Sequence, residues 1–271
     1  MTTDRLVNGV PAENISIDDR GLQYGDGVFE TIALKDGQLF CLTEHLERLA
    51  ISCVRLNIPF HDLSVLKNEC ETIIGGHEQA VLKIIITRGE GGRGYAPPAN
   101  PSPNRIISIY PWPKYSIDNY EQGVSTIFCK TRYGINPGLA GIKHMNRLEQ
   151  VMARAECTEA AVDEGIVLDT NDNVIEGTMT NLFLVAKGKL ITPDLSQCGV
   201  FGVIRQKIID HYPDVSVQTV TRKQLLSAQE IFLCNSLVGV WPVTKIDEHD
   251  FRISTVSSEV TKLLKRQGYI I

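Results

Sequence analysis

The sequence predicts a mixed α/β (α+β) protein built from two domains, and three observations lead to that prediction. Apolar stretches with strand-like composition alternate along the chain with segments whose apolar residues recur at helical spacing. The chain has 271 residues, which is long enough for two modest domains. A proline-rich, polar stretch at 111–116 has the composition of a linker. We therefore place an N-terminal domain at 1–113 and a larger C-terminal domain at 120–271.

Strand signals are clear in the N-terminal half. Runs rich in β-branched and aliphatic residues predict strands at 28–34, 81–87 and 105–110. Helical spacing predicts two helices, one that begins at a Thr43 cap and one over 63–74. On the first of these helices, Arg48 lies four residues after Glu44. This spacing leaves two interpretations, an exposed ion pair on the helix surface or an arginine that binds an anion.

The C-terminal half carries further signals of both kinds. Strands are predicted at 124–129, 165–169, 182–185 and 231–234, and a helix at 257–267. A glycine turn at 199–202 leads into another helix, and the free N–H groups at such a helix start make an anion site. Glu176 could turn inward or outward, and the outward, solvated orientation is the usual one. Ser236 could join an anion site or bond to the backbone of its own turn.

Lys143 is distinguished by its position just ahead of a predicted helix. Asn146 would cap this helix and Glu149 would close a capping box. Apolar residues at helical spacing would anchor the helix on the core, namely Leu148, Val151, Met152 and Ala155. A lysine that is held still and partly desolvated loses its proton more easily and becomes nucleophilic. The alternative is a surface lysine at the start of a helix.

A glycine-rich loop at 88–95 carries two arginines and a tyrosine, Arg88, Arg93 and Tyr95. Its glycine content would let the loop fold over a ligand, and the alternative is a mobile surface loop. The glycines at 25 and 27 do not predict a phosphate loop, because the Gly-Lys-Ser/Thr ending is missing.

Composition and charge narrow the classes of function. The 27 basic and 32 acidic residues give a net charge of −5 without a basic run, so we expect no nucleic-acid partner. Residues 1–5 carry no apolar signal core, and the apolar runs are far shorter than a membrane span, which favours a cytoplasmic protein. The seven cysteines form no Cys-x-x-Cys pair and no Cys/His cluster at ligand spacing. Neither a metal site nor a disulfide framework is predicted.

Together these landmarks resemble one family, the fold-type IV pyridoxal-phosphate enzymes, over nearly the whole chain. The blocks that carry the resemblance are Asp19-Arg20-Gly21, the residues 24–30 and 44–49, Ile175-Glu176-Gly177, Asn181-Leu182-Phe183, the residues 202–205, and Cys234-Asn235-Ser236. Within the family, the blocks at 88–95 and 139–151 are most similar to those of aminodeoxychorismate lyases. The resemblance implies two α/β domains with the active site in the cleft between them, in a homodimer.

The resemblance also implies roles for individual residues. Lys143 matches the lysine that holds pyridoxal 5'-phosphate covalently and later moves a proton. Thr31 is a candidate for a catalytic hydroxyl, the alternative being a buried strand threonine. Glu176 matches the carboxylate that faces the pyridine nitrogen. The other implied cofactor ligands, most of them around the phosphate, are Arg48, Val203, Ile204, Asn235 and Ser236. The implied substrate ligands are Arg88, Arg93 and Tyr95.

The reaction implied by the resemblance converts 4-amino-4-deoxychorismate to 4-aminobenzoate and pyruvate, a step toward folate. Arginines near the site suit a substrate with two carboxylates. The alternative within the family is a D-amino-acid or branched-chain amino-acid transaminase that uses the same Lys143 and Glu176. D-amino-acid transaminases tend to carry an Arg-x-His pair on the loop, and here Tyr95 replaces the histidine. A non-catalytic binding protein on this scaffold would be expected to lack the lysine or the carboxylate.

Overall fold

The computed structural model describes residues 4–271 and separates into two compact units. The first comprises the described residues up to Pro113 together with Ile142–Asn146 and Ile271, and the second comprises Lys114–Gly141 and Arg147–Ile270. The predicted mixed α/β class is confirmed. Residues 1–3, which entered the prediction about a signal core, lie outside the described part. Among residues 4–271, no helix has both the length and the apolar character needed to cross a membrane.

The first unit is built on a six-stranded sheet. Its strands are β1 Arg5–Val7, β2 Val10–Pro11, β3 Gly27–Lys35, β4 Gln38–Leu39, β5 Gln79–Thr87 and β6 Asn104–Pro111, and its helices are α1 Arg20–Tyr24, α2 Leu42–Arg55 and α3 Leu63–Ile73. The strand order is β2-β1-β6-β5-β3-β4. Alternate residues of β3, including Ile32 and Leu34, face a core that Leu49 of α2 completes. Helix α2 follows Cys41 and lacks the predicted Thr43 cap.

Residues 143–145 belong to the first unit because they extend its sheet. They run antiparallel to the start of β3, along the edge that β4 leaves open. The N–H of Phe29 donates to the C=O of Lys143 at 3.0 Å, and the N–H of Met145 donates to the C=O of Gly27 at 2.9 Å. The sequence pattern placed Lys143 in the C-terminal domain. Pairing across the sheet edge is the physical reason that this lysine packs with the N-terminal unit instead.

The second unit contains a ten-stranded sheet. Its strands are β7 Val124–Tyr133, β8 Glu164–Asp169, β9 Asn173–Gly177, β10 Asn181–Ala186, β11 Lys189–Pro193, β12 Ser216–Gln218, β13 Val220–Thr221, β14 Glu230–Asn235, β15 Gly239–Ile246 and β16 His249–Asp250. Its helices are α4 Asp118–Glu121, α5 Leu148–Glu159, α6 Val203–His211, α7 Arg222–Leu226 and α8 Val256–Arg266. The order is β12-β11-β10-β14-β15-β7-β8-β9-β13, and β16 pairs with β15.

The start of α5 differs from the prediction. Arg147 occupies the cap position, and no side chain caps the helix. Asn146, the predicted cap, donates to the C=O of Gly25 at 3.1 Å. Glu149, the predicted second half of a capping box, accepts a hydrogen bond from the N–H of Gly134 at 2.8 Å. Both side chains therefore serve distant segments of the chain.

The buried face of α5 also differs from the prediction. The helix buries Ala153 and Cys157. The predicted anchors point outward, since Leu148, Val151 and Met152 are 77%, 61% and 59% exposed, and Ala155 is also exposed. Small residues at Ala153 and Cys157 let the helix approach the sheet closely, which leaves the larger side chains on the other face.

Candidate active site

Lys143 stands at the edge of β3, with its Nζ 4.6 Å from the centroid of the Phe29 ring. Because side chains alternate along a strand, Phe29 and Thr31 share one face of the sheet. Lys83 pairs with Thr31 across the sheet, and its Nζ lies 5.6 Å from the same ring. The structure therefore brings the two predicted catalytic residues, Lys143 and Thr31, to the same part of the first unit.

A buried cluster of polar groups joins β3 to α2. Arg48 donates two hydrogen bonds to Glu30, from Nε to Oε1 at 2.8 Å and from Nη2 to Oε2 at 2.5 Å. His45 Nδ1 lies 2.6 Å from Oε2 of the same carboxylate. The side chains of Glu30 and His45 are each 1% exposed, and that of Arg48 is 14% exposed. Arg48 is thus oriented by a buried carboxylate that the sequence pattern had not linked to it.

Burial and charge act on this cluster in opposite directions. Burial by itself raises the pKa of Glu30, but the charge of Arg48 and the contact with His45 outweigh it and hold the pKa at about 2. The pKa of His45 is lowered, chiefly by burial. The negative charge of Glu30 raises it, but the positive charges of Arg48 and Lys143 act in the same direction as burial. At neutral pH the imidazole is therefore uncharged. Its Nδ1 proton is donated to Glu30, because an ionised carboxylate can only accept.

Glu176, in the second unit, is turned inward, which is the less usual of the two orientations considered. It is 5% exposed. Its Oε2 accepts hydrogen bonds from Asn181 Nδ2 at 2.9 Å and from the N–H of Val200 at 3.1 Å. Both of these donors are neutral amide groups, and they fix the orientation of the carboxylate. A carboxylate held in this way suits a protonated ring nitrogen.

Asn181 also lies against the turn that opens α6. Its Nδ2 donates to the C=O of Val200 at 3.0 Å, and a Cβ on Gly202 would stand 1.8 Å from its Oδ1. Gly202 occupies the cap position of α6 without a side-chain cap. The N–H groups of Val203 and Ile204 lie in the first turn of the helix, where the helix itself provides no acceptors. The predicted anion site therefore has the backbone that it needs.

Asn235 forms the turn at the end of β14. Its Oδ1 accepts hydrogen bonds from the N–H groups of Leu237 and Val238, both at 2.8 Å. Its Nδ2 donates to the C=O of Met179 at 3.1 Å. These contacts give the side chain a turn-forming role, and its predicted role as a cofactor ligand stays a prediction. Ser236 is half-buried in the same turn, and its role toward a phosphate stays a prediction.

Arg88, a predicted substrate ligand, makes several contacts with the protein itself. Its side chain is 8% exposed. The guanidinium donates to the carboxylate of Asp26 at 2.8 and 3.0 Å, and to the C=O groups of Leu56 and Asn57 at 2.9 and 2.6 Å. These bonds fasten the end of β5 to the end of α2. Arg88 therefore has a structural role, and its role toward a substrate stays a prediction.

The far end of the 88–95 loop is tied down by a second buried arginine. Arg20 donates to the C=O groups of Gly94 and Tyr95 at 2.9 and 3.0 Å. The N–H of Gly94 donates to the hydroxyl of Tyr24 at 2.9 Å. Tyr95 is nevertheless 87% exposed, and Arg93 is exposed as well. Both side chains are accessible to a ligand, as their predicted roles require.

The sequence pattern assigned no role to Glu30, His45 or Asn181. For Glu30 a signal existed, because a carboxylate inside the apolar run 28–34 must find a partner when it is buried. His45 precedes Arg48 by three residues, so the two side chains project from neighbouring positions on the helix surface. Asn181 gave no such signal, since its partners come together only through the tertiary fold.

Sequence comparisons match the chain to known enzymes over almost its full length. A family model described as amino-transferase class IV matches residues 27–246. An aminodeoxychorismate lyase from Vibrio harveyi is 40% identical over 263 residues, which cover 96% of this chain and 97% of that protein.

Solved enzyme structures also match the chain over almost its full length. The crystal structure of 4-amino-4-deoxychorismate lyase from Pseudomonas aeruginosa matches with a TM-score of 0.94 at 43% identity, covering 98% of this chain and 100% of that chain. A branched-chain amino acid aminotransferase from T.th., complexed with N-(5'-phosphopyridoxyl)-L-glutamate, matches with a TM-score of 0.86 at 25% identity. That match covers 99% of this chain and 94% of that chain.

Proposed function

The chain belongs to the amino-transferase class IV family, and from that membership we propose that it is an aminodeoxychorismate lyase that depends on pyridoxal 5'-phosphate. The resemblance predicted from the sequence is confirmed at the level of the family. The observation that carries the lyase activity is the identity of 40% and 43%, over nearly the whole chain, to two proteins named for it. The reaction converts 4-amino-4-deoxychorismate to 4-aminobenzoate and pyruvate.

The residues present fit this cofactor on chemical grounds. Arg48 offers a guanidinium and the first turn of α6 offers backbone N–H groups, both of which suit a phosphate dianion. Glu176, oriented by neutral donors, suits a protonated pyridine nitrogen. Lys143 supplies the amine that would hold the cofactor covalently. When bound, the cofactor supplies an electron sink for the carbon that carries the substrate's amino group.

The side chains of this protein would then move the proton and hold the substrate. The Nζ of Lys143, once released, removes the proton from the ring carbon that bears the amino group. Thr31 lies on the face of β3 that carries Phe29 and would place its hydroxyl near the reacting groups. Arg93 and Tyr95 are accessible and would bind the substrate, the arginine through a carboxylate. The methylene carbon of the enolpyruvyl group gains a proton in exchange, the C–O bond to the ring breaks, and the group leaves as pyruvate. The ring becomes aromatic, so a keto acid is not needed as a second substrate.

The decisive experiment measures product release without a keto acid. Pure protein supplied with aminodeoxychorismate should release 4-aminobenzoate and pyruvate in equal amounts over many turnovers, because elimination leaves the oxidation state of the cofactor unchanged. A transaminase of the same family would stop after one turnover until a keto acid was added. The lyase proposal fails if pyruvate release requires a keto acid. It also fails if D- or branched-chain amino acids are turned over and aminodeoxychorismate is not.

We also propose that two copies form a homodimer. Helix α5 exposes Leu148, Val151 and Met152, an apolar surface that a second copy would cover. Light scattering should report a dimer for the wild type and a monomer after Leu148→Glu with Met152→Glu. Val217→Glu, at another exposed apolar position, is the control and should leave the mass unchanged. The cytoplasmic location, the domain boundaries and the cleft between domains stay predictions.

A further inference from the structure

We propose that Glu30 and His45 are positioning residues that hold Arg48 in the conformation that binds the phosphate of the cofactor. This role rests on the proposed function, since it requires a cofactor with a phosphate group. Neither residue needs to touch the phosphate, because each acts through Arg48. The contacts that support this role all lie within the first unit.

Glu30 fixes the guanidinium of Arg48 in both position and direction. An arginine side chain has many rotatable bonds, so an anion site built on one is weak unless something orients it. Glu30 receives two nearly parallel hydrogen bonds, from Nε and from Nη2, and this fork sets the plane of the guanidinium. The carboxylate of Glu30 takes the edge of the guanidinium formed by Nε and Nη2.

His45 fixes Glu30 in turn. Its Nδ1 lies 2.6 Å from Oε2 of Glu30, and its side chain is 1% exposed. His45 and Arg48 stand one turn apart on α2, whereas Glu30 belongs to β3. The three side chains therefore fasten one turn of the helix to the strand. The resulting orientation of Arg48 is built into the protein and does not depend on a ligand.

Charge explains why the arrangement is stable before a phosphate arrives. A nearly buried guanidinium without a counter-charge carries a large desolvation cost, which Glu30 offsets. Because His45 is neutral, the charges of Glu30 and Arg48 sum to zero. A phosphate dianion then meets a guanidinium that is already oriented, and less conformational freedom is lost on binding.

The experiment compares two ligands, pyridoxal 5'-phosphate and pyridoxal, by equilibrium dialysis of the full chain. The ratio of the two affinities isolates the phosphate contribution, since covalent attachment to Lys143 is common to both ligands. Arg48→Ala gives the ratio expected when the phosphate contact is lost. Glu30→Gln should lower the ratio about tenfold, as for loss of one hydrogen bond to a charged group. The amide of glutamine must turn an N–H toward the donors of Arg48 or His45, which breaks the fork.

His45 offers a matched pair of variants. His45→Asn keeps a donor close to the position of Nδ1 and should preserve the ratio, whereas His45→Leu removes the donor and should lower the ratio about tenfold. Glu69→Gln is the control, because Glu69 accepts a similar fork from Arg105 at 3.0 and 2.7 Å in the same unit. It should leave the ratio unchanged. If circular dichroism shows that Glu30→Gln does not fold, the two His45 variants decide.

The possible outcomes separate positioning from function. Positioning is overturned if Arg48→Ala lowers the ratio while Glu30→Gln and His45→Leu keep the wild-type value. It is also overturned if these variants weaken pyridoxal as much as pyridoxal 5'-phosphate, which would indicate a general structural role. Either result leaves the lyase proposal standing. If Arg48→Ala does not change the ratio, Arg48 does not bind the phosphate, and the proposal that Glu30 and His45 position it for that purpose is also wrong. If the wild type binds neither ligand, the proposed function itself fails.

Discussion

Two buried glutamates, one in each unit, are held in contrasting ways. Glu30 accepts hydrogen bonds from the charged guanidinium of Arg48, whereas Oε2 of Glu176 accepts them from the amide of Asn181 and a backbone N–H. The first arrangement pairs the carboxylate with a positive charge, and in the second the two donors to Oε2 are neutral amides that orient the carboxylate. Burial of a carboxylate therefore does not by itself mark a reacting group. The chemistry of the donors decides.

The largest effect is expected at Lys143, because the proposed reaction uses its amine both to hold the cofactor covalently and to move the proton. Lys143→Ala should remove the yellow colour of the purified protein and lower turnover roughly 10²–10⁴-fold, the range for loss of a general acid–base group. Lys83→Ala is the matched control, because its Nζ lies near the same Phe29 ring. Borohydride reduction followed by mass spectrometry should find the cofactor on the peptide that contains Lys143. A label on Lys83 would overturn the site.

The charge-paired side of the contrast predicts a loss of stability. The pKa of Glu30 is about 2 in the folded protein against an ordinary 4.5. At 1.36 kcal/mol per pKa unit, its ionised form contributes about 3 kcal/mol to the free energy of unfolding. Because the folded pKa is the lower one, this contribution is complete above pH 4.5 and is lost as the pH falls toward 2. The pKa of His45 is also lowered in the folded protein, so His45 causes a further loss of stability that begins as the pH falls below 6.5.

Urea unfolding measured across this pH range tests that prediction. The wild type should lose stability steeply in acid, and Glu30→Gln should start lower and lose less, because its side chain no longer titrates. Parallel curves for the two proteins would contradict the pairing. Arg48→Ala is the informative companion, since it leaves the carboxylate without its charged partner and should raise the pKa of Glu30.

The amide-held side of the contrast predicts a loss of turnover without a loss of cofactor. Glu176→Gln keeps the size of the side chain but removes the charge that favours a protonated ring nitrogen. Turnover should fall by about tenfold or more, at 1.4 kcal/mol of transition-state stabilisation per factor of ten. Glu156→Gln is the control, because this glutamate also accepts from backbone N–H groups, those of Lys130 and Thr131. Unchanged turnover in Glu176→Gln would end its proposed role.

The smallest effect is expected at the exposed loop. Arg93→Ala should raise the KM for aminodeoxychorismate by about tenfold or less, through loss of one charge-assisted contact, with an unchanged melting temperature. Arg88→Ala should instead lower the melting temperature, because the carboxylate of Asp26 loses one of its two arginine partners and keeps only Arg20. A higher KM in Arg88→Ala with no loss of stability would support the predicted role toward substrate and contradict the structural role.

Local patterns predicted the strands well because composition within a few residues decides them. The run 28–34 became Gly27–Lys35 and the run 231–234 became Glu230–Asn235. Helix caps were predicted less well, because Asn146 and Glu149 hydrogen-bond to segments far away in the sequence. The apolar residues of α5 do lie on one face of the helix, but that face is exposed. A sequence pattern cannot distinguish an apolar face that packs on the core from one that stays exposed.

The site residues divide in the same way. The motifs around Lys143 and Glu176 predicted their roles, which stay predictions, but no motif predicted the contacts that the two side chains make. The contact of Arg48 with Glu30 depends on how α2 packs on β3. The contact of Arg88 with Asp26 depends on the pairing of β3 with β5, since the two residues flank the last pair, Gly27 and Thr87. Both arginines looked alike as cationic ligands in the sequence. Only the fold shows that Arg88 is enclosed by protein acceptors.

The pairing of residues 143–145 with the edge of β3 also bears on how the protein is made. A nascent chain that has reached only Pro113 lacks the partners of the Phe29 N–H and the Gly27 C=O. Such an open strand edge is a template for aggregation. Closing the long loop between Val28 and His144 costs chain entropy. The strand pairing that offsets this cost can form only after the ribosome has synthesised residues 143–145. Lys143 therefore joins the N-terminal unit only after 143 of the 271 residues have been made, well after the chain has passed Pro113.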